Sequence, residues 1–300
     1  MKFIDVAEAK SAYKKGENVT KFLRTKLSSE NNTIEIIEIA YDLQAGRYIE
    51  ILKSDPARQE RYANDLSKIL NEHLAHGDTL LDVGTGETTT LTLVLNKLNV
   101  NLAKILAFDI SWSRLSVGME FHRTNRKVRF PLTTFVADIK EIPLPNKCVD
   151  IVTSSHALEP NGADLEKLLI EMFRVTKRKL VLFEPSYELN SDEGKARMDS
   201  LGYIKNIEST VSKLGGKVVD VIRVFDRNAP LNPTACYIIE PPIQNTKDFE
   251  AITFCVPGTN FKLETNGQYL FSKDTGLVFP VIDEIAVLRT GSAILATAKC

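Results

Sequence analysis

An α/β fold built on a parallel sheet is what the sequence predicts, and three observations predict it. From Thr79 onward, short apolar runs alternate with amphipathic stretches, the pattern of strands joined by helices that cover both faces of a sheet. The first run closes on Asp82-Val83-Gly84-Thr85-Gly86-Glu87, a glycine-spaced turn. Thr88-Thr89-Thr90 follows and suits a helix N-terminus. The next two apolar runs also end in acids, Asp109 and Asp138. Ligands of open α/β sheets sit beyond the carboxyl ends of the strands, so three consecutive strands would present carboxylates to one cleft.

Each element has its own signal. Ala7 to Leu27 is polar and Lys-rich with Val19, Phe22 and Leu23 at helical spacing, which predicts a surface helix. Ile34 to Ile39 is rich in isoleucine and leads into Tyr41-Asp42-Leu43-Gln44-Ala45-Gly46-Arg47-Tyr48. Ala57 to His76 reads as an amphipathic helix with Tyr62, Leu66, Ile69, Leu70 and Leu74 on one stripe, stopped by Gly77. Strands are predicted to end at Asp82, to run over Lys104–Ile110, Leu132–Asp138, Cys148–Ser154 and Lys179–Glu184, and to finish with Lys217–Phe225 and Thr234–Ile239. Helices are predicted over Thr88–Leu98, from a Ser111 or Ser113 cap to about Thr124, over Ala163–Val175, and over Ser191–Leu214 before Gly215-Gly216. Residues after Pro242 to about Phe249 read as a linker. Ala251 to Cys300 then changes to short strands and turns.

Composition narrows the class. With 38 basic and 39 acidic residues, the formal charge of −1 argues against a broad nucleic-acid or membrane-binding face, though a local patch stays possible. No apolar stretch is long enough to span a bilayer, and Met1-Lys2-Phe3-Ile4-Asp5 lacks the apolar core of a signal peptide. Cys148, Cys236, Cys255 and Cys300 are scattered without a repeated spacing, as expected of reduced thiols in a cytoplasmic protein. The loop is not a dinucleotide loop, because no third glycine follows Gly84 and Gly86. No nucleophile elbow or Walker loop occurs. His73, His76 and His122 lie on predicted helices without cysteine partners. Arg123-Thr124-Asn125-Arg126-Lys127-Val128-Arg129 reads as a solvated basic loop or an anion-holding one.

Leu81-Asp82-Val83-Gly84-Thr85-Gly86 resembles the first motif of class I S-adenosylmethionine (SAM) dependent methyltransferases. The resemblance implies a Rossmann-like seven-stranded sheet of order 3-2-1-4-5-7-6 with helices on both faces, SAM as cofactor and S-adenosylhomocysteine as product. It implies cofactor contacts from Asp82, Gly84, Thr85, Gly86, Asp109, Ile110, Asp138, Ile139 and Ser154, with Asp109 on the ribose hydroxyls and Asp138 on the adenine amino group. Glu87 stands where a small residue is common, and either faces the cofactor or does not. Tyr41 and Tyr48 match a segment that folds over the cofactor in many relatives, or else pack a helix on the sheet. After strand four the family often shows Ser-x-x-Leu-Glu-His. This chain has Ser155-His156-Ala157-Leu158-Glu159-Pro160, so His156 is the catalytic candidate, with Glu159 and Glu184 behind it.

Phe279-Pro280-Val281-Ile282-Asp283-Glu284-Ile285-Ala286-Val287-Leu288 resembles the Tyr-Pro-Ile-x-Asp-Gly-Ile-Pro-Val-Leu segment of small zinc-ribbon-like methyltransferase activators. Their two Cys-x-x-Cys pairs correspond to Cys255 with Gly258 and Ser272 with Thr275, so three of four thiolates are replaced and no metal is expected. The chain thus divides into a helical N-terminal cap (1–77), a SAM-binding domain (78–243) and a small β-rich activator-like module (250–300). The expected activity is methyl transfer to a small-molecule or sugar acceptor. Methylation of RNA or protein is the alternative, as is a non-catalytic SAM-binding scaffold. Oligomeric state is not legible.

Overall fold

A computed structural model describes residues 3–127, 131–224, 229–243 and 251–299. Among the described residues, five helices precede the sheet: α1 (Phe3–Lys14), α2 (Val19–Lys26), α3 (Ile34–Asp42), α4 (Arg47–Ser54) and α5 (Pro56–His73). The single helix expected over Ala7–Leu27 is two. Gly16 takes a left-handed φ of 79°, and Asn18 caps α2 by accepting the Lys21 N–H at 2.9 Å. Val19 and Leu23 then pack with Ala9, Ile36, Ile39 and Ala40 in a small core of their own.

The sheet begins with β1 (Thr79–Val83), α6 (Thr89–Leu95), β2 (Lys104–Asp109), α7 (Trp112–Asn125) and β3 (Leu132–Val136). It continues with β4 (Val149–Ser155), α8 (Leu165–Val175) and β5 (Thr176–Pro185). Beyond these lie α9 (Asp192–Leu201), α10 (Ile207–Lys213), β6 (Lys217–Arg223) and β7 (Thr234–Glu240). The helix expected over Ser191–Leu214 is again two, because Gly202 at φ 67° ends α9 and the Tyr203 N–H folds back to the Met198 carbonyl at 3.0 Å. Strand order is β6-β7-β5-β4-β1-β2-β3, with β7 antiparallel to both of its neighbours, as the seven-stranded expectation has it. The central strands are buried on both faces, which explains why they read as continuous apolar runs rather than alternating ones. Phe225, Val128, Arg129, the linker to Phe249 and Cys300 lie outside the described residues.

The C-terminal segment does not stand apart. Its strands are β8 (Glu264–Thr265), β9 (Tyr269–Phe271), β10 (Leu277–Ile282), β11 (Ile285–Val287) and β12 (Ile294–Leu295). β11 lies parallel to β3, pairing Ala286 with Phe135 and Val287 with Val136, so the sheet continues past β3 into β11, β10, β9 and β8. Phe108 stacks on Phe135 with ring centroids 5.3 Å apart, and Phe254 meets Phe135 edge to face at 5.1 Å. Val256, Leu263, Leu270 and Phe279 join the same core as Leu106 and Val152. Cys255 is buried, its N–H donates to the Pro143 carbonyl at 3.0 Å, and it bridges Lys262. Ser272 is buried too, and its hydroxyl accepts the Thr275 N–H at 3.3 Å. No helix among the described residues is long and apolar enough to cross a membrane.

β10 and β11 are joined by Asp283 and Glu284, both left-handed at φ 48° and 66°. A two-residue hairpin turn of this kind favours glycine in its second place. Glu284 gains little from its 3.7 Å pair with Arg123, since its side chain is 91% exposed. Glu284→Gly is expected to raise stability by about 0.5–1 kcal/mol in urea unfolding, by relief of left-handed strain.

Candidate active site

The glycine turn after β1 is forced by crowding as much as by backbone angle. Gly84 and Gly86 have φ of 65° and 58°. A Cβ on Gly84 would stand 2.3 Å from the Ala157 methyl, and one on Gly86 would stand 2.3 Å from the Arg114 guanidinium. The turn is braced from β2: the Thr85 N–H donates to the Phe108 carbonyl and the Gly86 N–H to Asp109 Oδ2, both at 2.9 Å. Asp109 Oδ1 accepts the Ser111 N–H at 2.9 Å, and Ser111 caps α7. A carboxylate has about four acceptor positions, so each oxygen of Asp109 keeps capacity for a ligand donor.

The turn opens into a cleft of about 310 Å³, within the range of small-molecule sites. Asp82, Gly84, Thr85, Glu87, Asp109, Ile110, Asp138, Ile139 and His156 all line it. The three strand-end acids therefore do share one rim. Asp138 lies two residues past β3, where its Oδ1 accepts the Lys140 N–H at 2.9 Å and starts a short 3₁₀ turn. Burial pushes its pKa up, against hydrogen bonding from and the charge of Lys140. Burial also lifts Asp82 to about 7, against a hydrogen bond from Thr85 and with help from the charge of Asp109.

Two expected contacts turn out otherwise. Ser154 is fully buried behind the cleft wall and donates to Glu184 Oε1 at 2.7 Å, while its strand neighbours Thr153 and Ser155 line the cleft. Gly86 faces Arg114 and is not part of the lining. Glu87 lines the cleft, but its carboxylate is engaged by the N-terminus of α4: Oε1 accepts the Tyr48 N–H at 3.3 Å and Oε2 the Ile49 N–H at 2.9 Å. An acid at a helix N-terminus is favoured by the orphan N–H groups and the helix dipole. Glu87 is thus a clasp between the glycine turn and the N-terminal helices.

Sequence reasoning missed the cation at the centre of this knot. Arg114, 8% exposed, sits 3.7 Å from Asp109 and 4.0 Å from Glu87. Its guanidinium lies over the rings of Tyr48 and Tyr41, at 4.9 and 5.3 Å from their centroids. Both tyrosines line the cleft. Asp42, at the end of α3, accepts from the Ser111 and Ser113 hydroxyls at 2.7 and 3.0 Å and so pins α3 to α7. The signal for Arg114 was a lone arginine in the turn of α7 that follows a strand-end acid.

The far end of the cleft is built on the loop after β4. His156 is left-handed at φ 58°, and its N–H donates to the Phe183 carbonyl at 2.9 Å. Its Nδ1 lies 2.7 Å from Glu159 Oε2 and its Nε2 lies 2.8 Å from Thr234 Oγ1. Burial pushes Glu159 up, but hydrogen bonds from His156, Tyr203 and Asn232 and the charge of His156 hold it below the usual range. Beneath the loop, burial pushes Glu184 up to about 8, although its Oε1 also accepts the Ala157 and Leu158 N–H groups at 3.1 and 3.3 Å. Glu184 is not part of the lining. Three lining residues keep a buried polar atom without a hydrogen-bond partner among the described residues: Arg58 Nε, Arg114 Nε and Asn232 Oδ1. Orphan polar atoms gathered around one cavity call for a polar occupant.

Comparison with known proteins bears on the fold. Residues 81–183, about a third of the chain, match the family described as "Methyltransferase domain", and the fold is Rossmann-like. One similar structure is a chain of the complex between the Haloferax volcanii Trm112 methyltransferase activator and a methyltransferase. It is 16% identical, covers 66% of this chain and 97% of its own, and has a TM-score of 0.52. A SAM dependent methyltransferase from Aquifex aeolicus is 23% identical over 63% of this chain and 96% of its own, at a TM-score of 0.46. Magnesium protoporphyrin IX methyltransferase from Synechocystis PCC 6803 is 12% identical over 63% and 86%, at 0.48. No curated protein matches in sequence.

Asp82 supplies a test of the cleft's electrostatics. Its folded pKa stands above the unfolded value, so its contribution to stability is fully present below about pH 4 and is lost as pH rises through about 7. Asp82→Asn removes that loss. Urea unfolding of the ligand-free protein at pH 5 and pH 8 is expected to show the variant gaining on the parent by about 2 kcal/mol or more between the two, at about 1.4 kcal/mol per pKa unit.

Proposed function

We propose that the cleft binds S-adenosylmethionine and that the enzyme transfers its methyl group to a small-molecule or sugar acceptor, leaving S-adenosylhomocysteine. The observation that carries this reading is the meeting of three strand-end carboxylates and three buried polar atoms without a hydrogen-bond partner around one cavity. The residues fit the cofactor's chemistry. Asp109 has acceptor capacity left for two vicinal hydroxyls, and Asp138 for an amino group, with Ile110 and Ile139 as apolar walls. Asp82 and the Thr85 hydroxyl face the place where an ammonium would sit. A carboxylate needs a cation, and Arg114 is already neutralised by Asp109 and Glu87. Arg58 makes no ion pair among the described residues and takes that role.

When bound, the cofactor supplies an electrophilic sulfonium methyl group. This chain's residues then position the acceptor in line with it and exclude water under α3 and α4. His156 is the group placed to receive an acceptor proton. An anionic Glu159 makes Nδ1 the donor and leaves Nε2 with its lone pair toward the Thr234 hydroxyl. Base duty therefore requires the acceptor to replace Thr234 as partner. Acceptors that lose no proton in the transition state need only the shape of this wall.

The division into a cap (1–77), a SAM-binding domain (78–243) and an activator-like module (250–300) belongs to the same reading. The module is assigned no metal because Gly258, Ser272 and Thr275 stand in three of the four ligand places. The second reading, an RNA or protein acceptor, is favoured by this module's resemblance to methyltransferase activators. Strongly salt-dependent RNA retention would support it.

Calorimetry with S-adenosylhomocysteine tests the site. Asp109→Ala is expected to weaken binding by about 1–3 kcal/mol, and Arg58→Gln by about tenfold. Unchanged affinity in a folded Asp109→Ala protein would remove that residue from the cofactor. Mass-spectrometric screening of pooled acceptors with labelled SAM then separates an enzyme from a scaffold.

A further inference from the structure

Among the ties that hold the N-terminal helices over the cleft, three polar ones bear on α3 and α4. Two come from the sheet side: Glu87 on the N-terminus of α4, and Ser111 with Ser113 on Asp42. The third comes from the C-terminal segment. Arg289 Nη1 lies 2.6 Å from Glu38 Oε2 on α3, with the arginine side chain 16% exposed. Glu38 shares its helix with Ile34, Ile37 and Tyr41, all of which line the cleft. Neither Glu38 nor Arg289 lines it.

Arg289 is itself firmly placed. The Leu288 N–H donates to the Val136 carbonyl at 2.8 Å, extending the β3–β11 pairing, and the Thr290 hydroxyl donates to Glu141 Oε2 at 2.7 Å. Glu141 belongs to the 3₁₀ turn that Asp138 begins. Arg289 therefore sits where the extended sheet edge, the Asp138 turn and the roof helix α3 converge. Its charge bears on Asp138 as well, opposing the effect of burial there.

The geometry points to Arg289 as a positioning residue: the C-terminal segment clamps α3 over the cofactor cleft through the Arg289–Glu38 pair. This rests on the cofactor reading above. A ligand's apparent affinity falls with the fraction of protein in the closed, binding-competent form. The pair raises that fraction without touching the ligand. It also gives the C-terminal segment a share in cofactor binding although none of its described residues lines the cleft.

The test is a double-mutant cycle on S-adenosylhomocysteine binding by calorimetry, using the full chain. Arg289→Gln and Glu38→Gln are each expected to weaken binding about three- to tenfold. The double variant should be no weaker than either single one, and the exchange Glu38→Arg with Arg289→Glu should recover most of the loss. Hydrogen exchange of the empty protein should quicken over residues 34–42 in Arg289→Gln while β1 and β4 stay protected, a pattern that a general loss of stability would not produce. Equal affinity in parent and Arg289→Gln, or strictly additive losses, overturns the clamp and leaves the cofactor reading standing. No binding by the parent chain overturns both.

Discussion

The structure turns on the hydrogen bond from the Gly86 N–H to Asp109 and the buried charges gathered around it. Asp109 holds the glycine turn against β2, Arg114 neutralises Asp109 and Glu87, and Glu87 receives the N-terminus of α4. Breaking any member leaves the others as uncompensated charge in a poorly solvated place, which is the costly way to disturb a buried network. One knot thus sets the turn, the roof of the cleft and the rings of Tyr41 and Tyr48 together. The pairs in the knot are long by hydrogen-bond standards, at 3.7 and 4.0 Å, and Arg114 Nε has no hydrogen-bond partner among the described residues.

Much of this frame was legible in the sequence because its signals are local. Strand and helix alternate with clear periods, and Asp82, Asp109 and Asp138 stand next to the breaks that end their strands. Two expected helices split because a single glycine, Gly16 or Gly202, reads in sequence as a tolerated interruption. Only the left-handed backbone there shows that it is a stop. Ser154 was misplaced by one residue's parity. Adjacent strand residues face opposite sides, and which side meets the cleft is decided by packing. Arg114 and Glu87 were illegible in a different way. Their partners come from β2, α3 and α4, and no spacing rule links a charge to a partner on another element.

The two ends of the cleft contrast in their electrostatics. Near β1, burial lifts Asp82 to about 7, so it is partly protonated at ordinary pH. Beyond β4, Glu159 is held ionised by His156, Tyr203 and Asn232 while Glu184 beneath is lifted to about 8. Two carboxyl groups, one on the loop after β4 and one on β5, are thereby driven apart, the first held as an anion and the second fastening a strained loop. Environments that separate the pKa values of like groups are characteristic of reaction sites.

The junction between β3 and β11 spans only two residue pairs. Between separate molecules, so short a ladder would form and dissolve with dilution. Here both strands belong to one polypeptide, and each meets the other at an effective concentration set by the tether rather than by expression level. The arrangement makes stoichiometry one to one by construction: no pool of unmatched partner has to be maintained for the sheet to extend past β3.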